Sequence, residues 1–577
     1  MIDIDRLRTC LDDVTTAEPW LRSLHVANPP AAHANFTRMA THGVTLDLLS
    51  QISDQLAAAA PTLADPDMAI NNLERFIAAS RNPMATAALF ERDRSALPNL
   101  LQIFSTSQYL SDLLIVDNEA YDLLRMTEGL PVARSALVEE IVGEIRAVGT
   151  YAEVLASLRR FKRRETLRIA YGDIVRGQPV ATVARQISYL ADAITEAALD
   201  YSRRHLDEQY GRPLRRDGER CRFVVFGLGK LGGVELNYSS DIDLIFMFDE
   251  DGHTDARRTV SNQEYFERLS KELIRLLTEM TDLGAAYRVD LRLRPEGSRG
   301  PLCLSFDSTL AYYDVKGRTW ERQAYVKARP IAGDLVLGQE LLDRLEPWIY
   351  GRYLSFTDIA GIKSLKRRIE RHTEIEGGDR RNVKTGRGGI RDIEFAIQFL
   401  QLLNGGNLST IRTGNTLEAI ARLEQAGCLT PVERTKLEDN YNFLRKVEHR
   451  LQIMFDLKTH LLPKDRSELA KLSVRMGYFS TPRVTALQAF ENDYAQRTDV
   501  NRDILNHLLH DAFPDDAAAE PEVDLVNDPA PPPERIQQVL GRYPFRDIPV
   551  AYENLMALAT EKIRFLSTRR CRHFLAA

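Results

Sequence analysis

Strand-like sequence in this chain is concentrated in one window, residues 222 to about 330, and the helical period dominates on both sides of it. Within the window, residues 223–226, 242–248 and 287–293 are rich in β-branched and aromatic residues and are separated by turn signals. A capping-box pattern at 261–264 starts a helix between the second and third strands. We therefore predict an α+β fold that is mostly helical and contains a small mixed sheet.

A chain of 577 residues is too long to fold around one ordinary hydrophobic core, so its length predicts two to four domains. Periodicity and composition predict a helical region at 1–215, an α/β domain at 216–350, a helical bundle at 351–510, a linker rich in proline and acid at 511–545, and the start of a truncated second unit at 546–577. Helical domains are thus expected to flank the sheet.

Charge and composition exclude several classes of protein. A net charge of -6 argues against a main role in binding nucleic acid, and no apolar run is long enough to cross a membrane. The acidic start at residues 1–5 is unlike a secretory signal, and the five cysteines are scattered without a C-x-x-C pair. We expect a cytoplasmic protein. The basic run at 159–164 has acidic neighbours and favours a solvated helix face.

The sequence Gly227-Leu-Gly-Lys-Leu-Gly-Gly233 directly follows the first predicted strand, and Asp241 and Asp243 form a D-x-D pair at the second. Because side chains alternate along a strand, these two carboxylates project from one face. The same alternation predicts one face of the third strand that carries Arg288, Asp290, Arg292 and Arg294. Three carboxylates on neighbouring strands suit two Mg²⁺ ions, which stabilise an in-line displacement at phosphorus.

The residues around these acids suit phosphate binding. Backbone N–H groups of a glycine-rich turn approach phosphate oxygens closely, and Lys230, Arg292 and Arg294 are available to neutralise charge. A lone D-x-D pair is common in turns and at strand ends, but here the glycine loop, the spacing and a third aspartate favour a catalytic site. For Arg294 a structural role is a close alternative.

Two further segments leave alternatives open. Lys384 and Arg387 flank a glycine turn at 386–389, which either presents N–H groups to an anion or only connects helices. Residues 320–329 carry Glu321 and Lys327 among aromatic neighbours and fit a functional segment or a salt-bridged sheet edge equally well.

Residues 227–233 and 237–245 resemble the glutamine synthetase adenylyltransferase family, which lies within the polymerase-β-like nucleotidyltransferase superfamily. Residues 289–295, 320–329 and 386–395 are also similar to that family, so the resemblance spans most of the chain. It implies that the Mg²⁺ ligands are Asp241, Asp243 and Asp290. It also implies that the nucleotide phosphates lie against Gly229, Lys230, Gly232, Gly233 and Ser240.

The family's members are bifunctional, with an N-terminal unit that removes AMP and a C-terminal unit that adds it, each with its own motif. This chain has one such motif, in its first half and after a long helical region. The resemblance therefore implies the AMP-removing unit, which acts by phosphorolysis and releases ADP. The implied partners are glutamine synthetase and the PII signal protein, and the implied ligands are ADP or ATP, phosphate and glutamine.

Three alternatives share parts of this pattern. The PII uridylyltransferase and RNA-terminal nucleotidyltransferases would carry the same glycine loop and acids, although the acidic balance disfavours RNA. A catalytically silent regulatory scaffold would be expected to lack a carboxylate, and all three are present here.

Overall fold

The computed structural model describes residues 2–257, 259–351, 381–508, 525, 531 and 533–560. These residues are mostly helical and enclose a small mixed sheet, which confirms the predicted fold class. Most of the predicted linker at 511–545, and the residues after 560, lie outside the described residues. No helix within the described ranges is both long and apolar enough to cross a membrane.

The region before the main sheet is a run of helices. Its members are α1 (Ile4–Asp12), α2 (Val14–Ser23), α3 (Pro29–Thr41), α4 (Leu46–Ala59), α5 (Pro66–Ala79), α6 (Pro83–Arg92), α7 (Ala96–Thr106), α8 (Gln108–Val116), α9 (Glu119–Thr127), α10 (Arg134–Ala147), α11 (Tyr151–Ile174) and α12 (Val180–Tyr210). The start of α5 shows why the sequence signals work: Asp65 accepts a hydrogen bond from the N–H of Met68, and Pro66 occupies the first turn, where no N–H is needed.

Seven short strands follow among the described residues, and all but the first lie in or at the end of the window that the sequence indicated. They are β1 (Pro213–Leu214), β2 (Phe223–Leu228), β3 (Ile242–Phe248), β4 (His253–Thr254), β5 (Val289–Asp290), β6 (Cys303–Ser305) and β7 (Arg329–Gly333). The main sheet has the order β5-β3-β2-β7, and β6 also pairs with β3. Strand β3 is antiparallel to β2 but parallel to β5 and β6, so the sheet is mixed.

The remaining helices interrupt or follow these strands. They are α13 (Gly229–Gly232), α14 (Asn262–Thr278), α15 (Phe306–Val315), α16 (Thr319–Tyr325), α17 (Leu335–Ile349), α18 (Ile390–Asn404), α19 (Thr416–Gln425), α20 (Pro431–Ile453), α21 (Arg466–Arg475), α22 (Ala486–Asn506), α23 (Pro533–Leu540) and α24 (Ile548–Thr560). The predicted capping box at the start of α20 is present, with Thr430 and Glu433 each accepting from the other's backbone N–H.

Both faces of the sheet are covered, and alternation along β3 divides its side chains between two cores. Leu244 and Phe246 pack with the N-terminal helices, whereas Ile245 and Met247 pack with α17 and α18. Asp243 has the parity of Ile245 and therefore lies at the end of the second face. The predicted separation of the D-x-D carboxylates from Leu244 and Phe246 is confirmed.

The third predicted strand is wrong in its length, because only Val289 and Asp290 of residues 287–293 are extended in the sheet. Asp290 Oδ1 accepts the backbone N–H of Arg292 at 2.9 Å, a local turn that competes with strand pairing. Beyond it the alternation fails, since Leu293 packs with the second core and not with the core that Val289 contacts. Arg292 and Arg294 therefore do not continue the face of Asp290 as strand residues.

The basic run at 159–164 is not the solvated helix face that the sequence favoured. Arg159 is almost fully buried, and its guanidinium donates to the carbonyls of Leu276, Glu279 and Gly284. These carbonyls lie at and just beyond the end of α14, where helix carbonyls lack intrahelical partners. Only Arg160 of the run is exposed. The run thus attaches α11 to the sheet domain.

Candidate active site

The sheet brings Asp243 and Asp290 together. They occupy the same register position on the parallel strands β3 and β5, so their side chains leave the sheet on one side. Asp241 stands two residues before Asp243, immediately ahead of β3, and shares its side by alternation. The three predicted carboxylates are therefore gathered at one edge of the sheet.

The glycine loop reaches the same edge. Strand β2 continues through Gly227 to Leu228, which pairs with Asp243, and the chain then turns into the single-turn helix α13. Gly229 has a φ of +54°, and a Cβ there would lie 2.6 Å from Asp243 Oδ2. A larger residue at 229 would meet both an unfavourable backbone conformation and the carboxylate. Gly229 thus lets the loop pass directly over Asp243.

The next two glycines of the loop have a packing role. A Cβ on Gly232 would lie 1.8 Å from the carbonyl oxygen of Lys327, and one on Gly233 would lie 2.7 Å from that of Gly414. Because backbone cannot yield as a flexible side chain does, both positions need glycine for close approach. Their predicted contact with a nucleotide phosphate stays a prediction, as does that of the half-buried Ser240.

Lys230 is paired with a carboxylate that comes from the helical bundle. Its Nζ donates to both carboxylate oxygens of Glu448 on α20, at 2.9 and 2.8 Å. Glu448 is fully buried and also lies 2.8 Å from Nδ1 of His460. Burial lowers the pKa of Lys230 to about 8, although the negative charge of Glu448 acts in the opposite direction. The Glu448 carboxylate holds the Lys230 ammonium between the glycine loop and the bundle.

Two of the three site carboxylates are paired with partly exposed cations. Asp241 accepts from Arg288 Nε at 2.7 Å and from the Nζ of Lys458. Burial alone would raise the pKa of Asp241, but these two hydrogen bonds hold it below its ordinary value. Asp290 is bound by the guanidinium of Arg292, at 3.0 and 2.5 Å, and this hydrogen bonding lowers the pKa of Asp290.

Asp243 is different, because no described residue donates a hydrogen bond to its carboxylate or forms an ion pair with it. Burial, followed by the negative charges of Asp290 and Asp241, raises the pKa of Asp243 to about 6, against the opposing effects of Lys384 and Arg292. A half-buried carboxylate with two acids beside it and no direct partner has too little positive charge around it. This imbalance is what a cation would correct.

The chemistry of these donors fits Mg²⁺, which prefers carboxylate, phosphate and water oxygens. Among the described residues, however, no three His, Cys, Asp or Glu side chains converge closely enough to hold a metal ion. The reason lies in the pairings: Asp241 faces Arg288 and Lys458, and Asp290 faces Arg292. Metal binding by all three acids would require these side chains to exchange cation partners.

Arg294 is placed away from this chemistry. Its Nε, Nη1 and Nη2 donate to carbonyls of the loop that follows β5, namely those of Leu291, Ser298, Gly300 and Pro301. The side chain is nearly buried, so these bonds satisfy donors that water does not reach. The structure favours the structural alternative for Arg294. Arg292 is bound to Asp290, but its side chain is 83% exposed, so it can turn toward a ligand.

The structure distinguishes between the alternative roles that the sequence allowed for two segments, residues 386–389 and 320–329. At residues 386–389, the N–H of Gly388 donates to Asp392 Oδ2 at 2.7 Å and the N–H of Gly389 to the carbonyl of Gly386, which favours the connecting turn. Residues 320–329 form helix α16 and the start of β7, not a continuous sheet edge. Lys327 from this segment is buried, and its Nζ donates to Glu235 Oε2 at 2.7 Å.

Sequence reasoning missed the polar residues that the bundle contributes to the site, above all Glu448 and Lys458. A signal for Glu448 exists in α20, where Tyr441, Arg445 and Glu448 recur at the spacing of one helix face. That face is buried, so its charged members needed partners from elsewhere. Lys458 lies in the loop after α20 and carries no comparable periodic signal.

The site has a glycine loop between two antiparallel strands, and carboxylates on adjacent strands lie beside partly exposed arginine and lysine side chains. This arrangement is typical of a nucleotidyltransferase. Comparison with known proteins agrees. The model of the family described as glutamate-ammonia ligase adenylyltransferase matches residues 97–344, and that of GlnD PII-uridylyltransferase matches residues 361–509. The first match contains every predicted site residue, and the second covers the helical bundle.

Curated relatives are named bifunctional glutamine synthetase adenylyltransferase/adenylyl-removing enzyme. The Pseudomonas aeruginosa protein is 38% identical over 412 residues, which are 70% of this chain and 42% of the relative. The Brucella suis protein is 38% identical over 456 residues, 75% of this chain and 45% of the relative. The chain belongs to the glutamate-ammonia ligase adenylyltransferase family, and it spans less than half the length of these relatives.

Proposed function

We propose that this chain removes AMP from an adenylylated tyrosine of glutamine synthetase by phosphorolysis and releases ADP. The observation that carries the proposal is the single site in which Gly229 passes over Asp243 while Asp243 stands in register with Asp290. The relatives' printed name combines an adenylyltransferase with an adenylyl-removing enzyme. The one glycine-loop motif, preceded by a long helical region, supports the second of these activities for this chain.

The reaction balances without an oxidant or a further co-reactant. An oxygen of monohydrogen phosphate forms a bond to the phosphorus of tyrosyl-AMP, and the bond between that phosphorus and the phenolic oxygen breaks. The phenolic oxygen leaves with the electron pair and takes up the proton that the phosphate carried. The products are ADP and tyrosine. A phenol, with a reference pKa of about 10, is a moderately good leaving group for such a step.

Mg²⁺ bound by Asp243, with Asp241 and Asp290, would neutralise charge on the transferring phosphoryl group and orient it for in-line attack. Arg292, Arg288 and Lys458 hold two of these acids and are exposed enough to turn toward phosphate oxygens. Lys230, held by Glu448 below the loop, supplies a fixed positive charge near the same place. Gly229 lets the loop lie directly over Asp243, so backbone N–H groups of the loop would be close to a phosphoryl group held there.

The partners follow from the same proposal. Adenylylated glutamine synthetase is the protein substrate, phosphate and ADP are small-molecule ligands, and the PII signal protein, glutamine and ATP act as regulators or ligands of the whole enzyme. The match of residues 361–509 to GlnD PII-uridylyltransferase supports a second candidate, a uridylyltransferase activity. We favour adenylyl removal because the site residues lie within the other match, at 97–344.

The test is to incubate the purified chain with adenylylated glutamine synthetase, Mg²⁺ and phosphate, and to identify the released nucleotide by chromatography. ADP that appears only with added phosphate supports the proposal. AMP without ADP, or a rate independent of phosphate, would show hydrolysis instead. A matched incubation with UTP and unmodified PII protein tests the second candidate by measuring UMP transfer. A further incubation with ATP and unmodified glutamine synthetase is expected to show no appreciable AMP transfer.

A further inference from the structure

A cavity of about 310 Å³ lies beside the three-acid site, between helix α11 and the segment that leads into β5. Ser239 and Ser240, which precede Asp241, form part of its wall, together with Arg288. The Nε of Arg288 donates to Asp241 and its Nη2 to the carbonyl of Ser239, so this side chain separates the cavity from the site. The cavity is therefore directly adjacent to the reacting edge of the sheet.

The charged groups around the cavity are mostly positive. Four cationic side chains line it, those of Arg159, Lys162, Arg163 and Arg288, against a single carboxylate, that of Asp456. Within a partly enclosed space such an excess of one sign attracts an anion more strongly than it would on an open surface. The hydroxyl of Ser240 adds an uncharged hydrogen-bond donor, whereas that of Ser239 donates to the carbonyl of Asp456. The lining therefore suits a small, highly charged oxyanion.

Lys162 is the cation that is available to a ligand. Arg159 is committed to carbonyls of Leu276, Glu279 and Gly284, and Arg163 donates to the carbonyl of Leu283. The Nζ of Lys162 makes no hydrogen bond or ion pair with any described residue and lies 4.8 Å from the centre of the Tyr287 ring. Burial, with the neighbouring arginines, lowers the pKa of Lys162. The Tyr287 ring is an uncharged partner, so this half-buried ammonium would be further stabilised by an anionic ligand.

Asp456 does not satisfy Lys162, although it faces the same space. Its carboxyl has a raised pKa because it is buried, and its backbone φ of 51° holds it in the left-handed region that few residues other than glycine adopt. The loop after α20 thus places one acid in the cavity at some conformational cost. That acid would accept a hydrogen bond from a protonated oxyanion such as monohydrogen phosphate, which carries one O–H.

We infer that this cavity is the binding site of the inorganic phosphate that attacks the tyrosyl-AMP bond. The inference rests on the proposed function, since it names the position of its second substrate. Lys162 binds the phosphate, the hydroxyl of Ser240 donates to it, and Arg288 links it to the site by turning from Asp241. The cavity also separates the incoming phosphate from the acids, which would otherwise repel it.

Direct binding tests the site without relying on turnover. Equilibrium dialysis of the full chain with radiolabelled inorganic phosphate is expected to show one bound phosphate, and Lys162→Gln should weaken binding about tenfold by removing a charged hydrogen-bond donor. Arg160→Gln is the matched control: it removes the same charge from the same helix at an exposed position and should leave binding unchanged. Equal effects of the two variants would overturn the site, as would phosphate binding no tighter than acetate binding.

A second variant guards against misfolding of Lys162→Gln. Ala285 lines the cavity, and Ala285→Leu fills part of it without changing any charge. We expect this variant to raise the KM for phosphate severalfold while kcat at saturating phosphate is retained. An unchanged KM in both Ala285→Leu and Lys162→Gln, with ADP still formed, would overturn the cavity and leave the proposed function intact. Phosphate binding that depends on Lys162, without ADP formation, would support the cavity as a phosphate site and overturn the proposed function.

Discussion

Two carboxylates at the sheet edge, those of Asp241 and Asp290, and the Glu448 carboxylate inside the helical bundle are all paired with cations, but the pairs differ in access to solvent. Asp241 is bound by Arg288 and Lys458, whose side chains are 53% and 45% exposed. Glu448 is bound by Lys230, whose side chain is 12% exposed, and is itself fully buried. The first pairing can be exchanged for a ligand at low cost, whereas the second cannot be broken without leaving a buried charge.

This difference assigns distinct roles to the two regions. The buried pairs join elements that are far apart in sequence: Lys230 with Glu448, and Lys327 with Glu235. The first pair fixes the glycine loop against the bundle, and Lys327 of the second also contacts the bundle through Thr416, 3.0 Å away. The exposed pairs join residues around the predicted metal ligands and leave Asp243 without a partner. A rigid loop next to exchangeable cations is what a site needs if charge is to move during the reaction.

The largest expected effect is the loss of activity when Asp243 is neutralised. Asp243→Asn preserves shape but removes the charge required to bind Mg²⁺, and we expect the rate of ADP release to fall about a thousandfold or more, roughly 4 kcal/mol in the barrier. The exposed Asp251→Asn, on the loop after β3, is the control and should retain the wild-type rate. Mg²⁺-dependent activity that survives in Asp243→Asn would exclude this residue from the mechanism.

The buried pair should give the largest effect on folding. Glu448→Gln removes the counter-charge of Lys230 and leaves a buried ammonium, which we expect to lower the free energy of unfolding by about 3 kcal/mol. Glu438→Gln, on the same helix but in a half-exposed pair with Arg434, should change it by less than about 1 kcal/mol. Denaturant titration measures both. Similar values for the two variants would mean that burial does not distinguish the two kinds of pair.

Sequence reasoning located the parts of the site that depend on local pattern. The limits of β3 were predicted correctly because residues 242 to 248 are apolar with the single exception of Asp243. The grouping of Asp241 with Asp243 needed only the alternation of a strand. The length of β5 was not predictable in this way, since it ends where the Asp290 side chain takes up the N–H of Arg292.

Contacts between distant segments account for the rest of what was missed. The pairing of Lys230 with Glu448 joins residues that are 218 positions apart, and no local pattern in either segment names the other. The loop carbonyls that bind Arg294 depend likewise on how residues 295–301 turn after β5. Charged residues at buried helix positions were the available signal, because they show that a partner exists without showing which one it is.

The pH dependence of stability tests whether Asp243, which has no cation partner among the described residues, differs from the paired carboxylates. Its folded-state pKa of about 6 lies above the ordinary value of 3.8, so the folded chain binds this proton more tightly than the unfolded chain does. The contribution of Asp243 to the free energy of unfolding is therefore lost as the pH rises from about 4 through about 6. Without divalent cations, Asp243→Asn should be more stable than wild type by about 3 kcal/mol at pH 8 and nearly equal to it at pH 4. No gain at pH 8 would contradict the raised pKa.

The smallest expected effect concerns the stability contribution of the exposed pair between Lys458 and Asp241. Lys458→Gln removes a partly exposed ammonium while Arg288 still binds Asp241, so the free energy of unfolding should change by less than about 1 kcal/mol, and less again at high salt. Denaturant titration at low and high ionic strength measures this change. The same titration of Glu448→Gln is the reference, because its effect should persist in salt. A loss above about 2 kcal/mol in Lys458→Gln would show that the sheet-edge pairs are structural, and the division between exchangeable and fixed pairs would then fail.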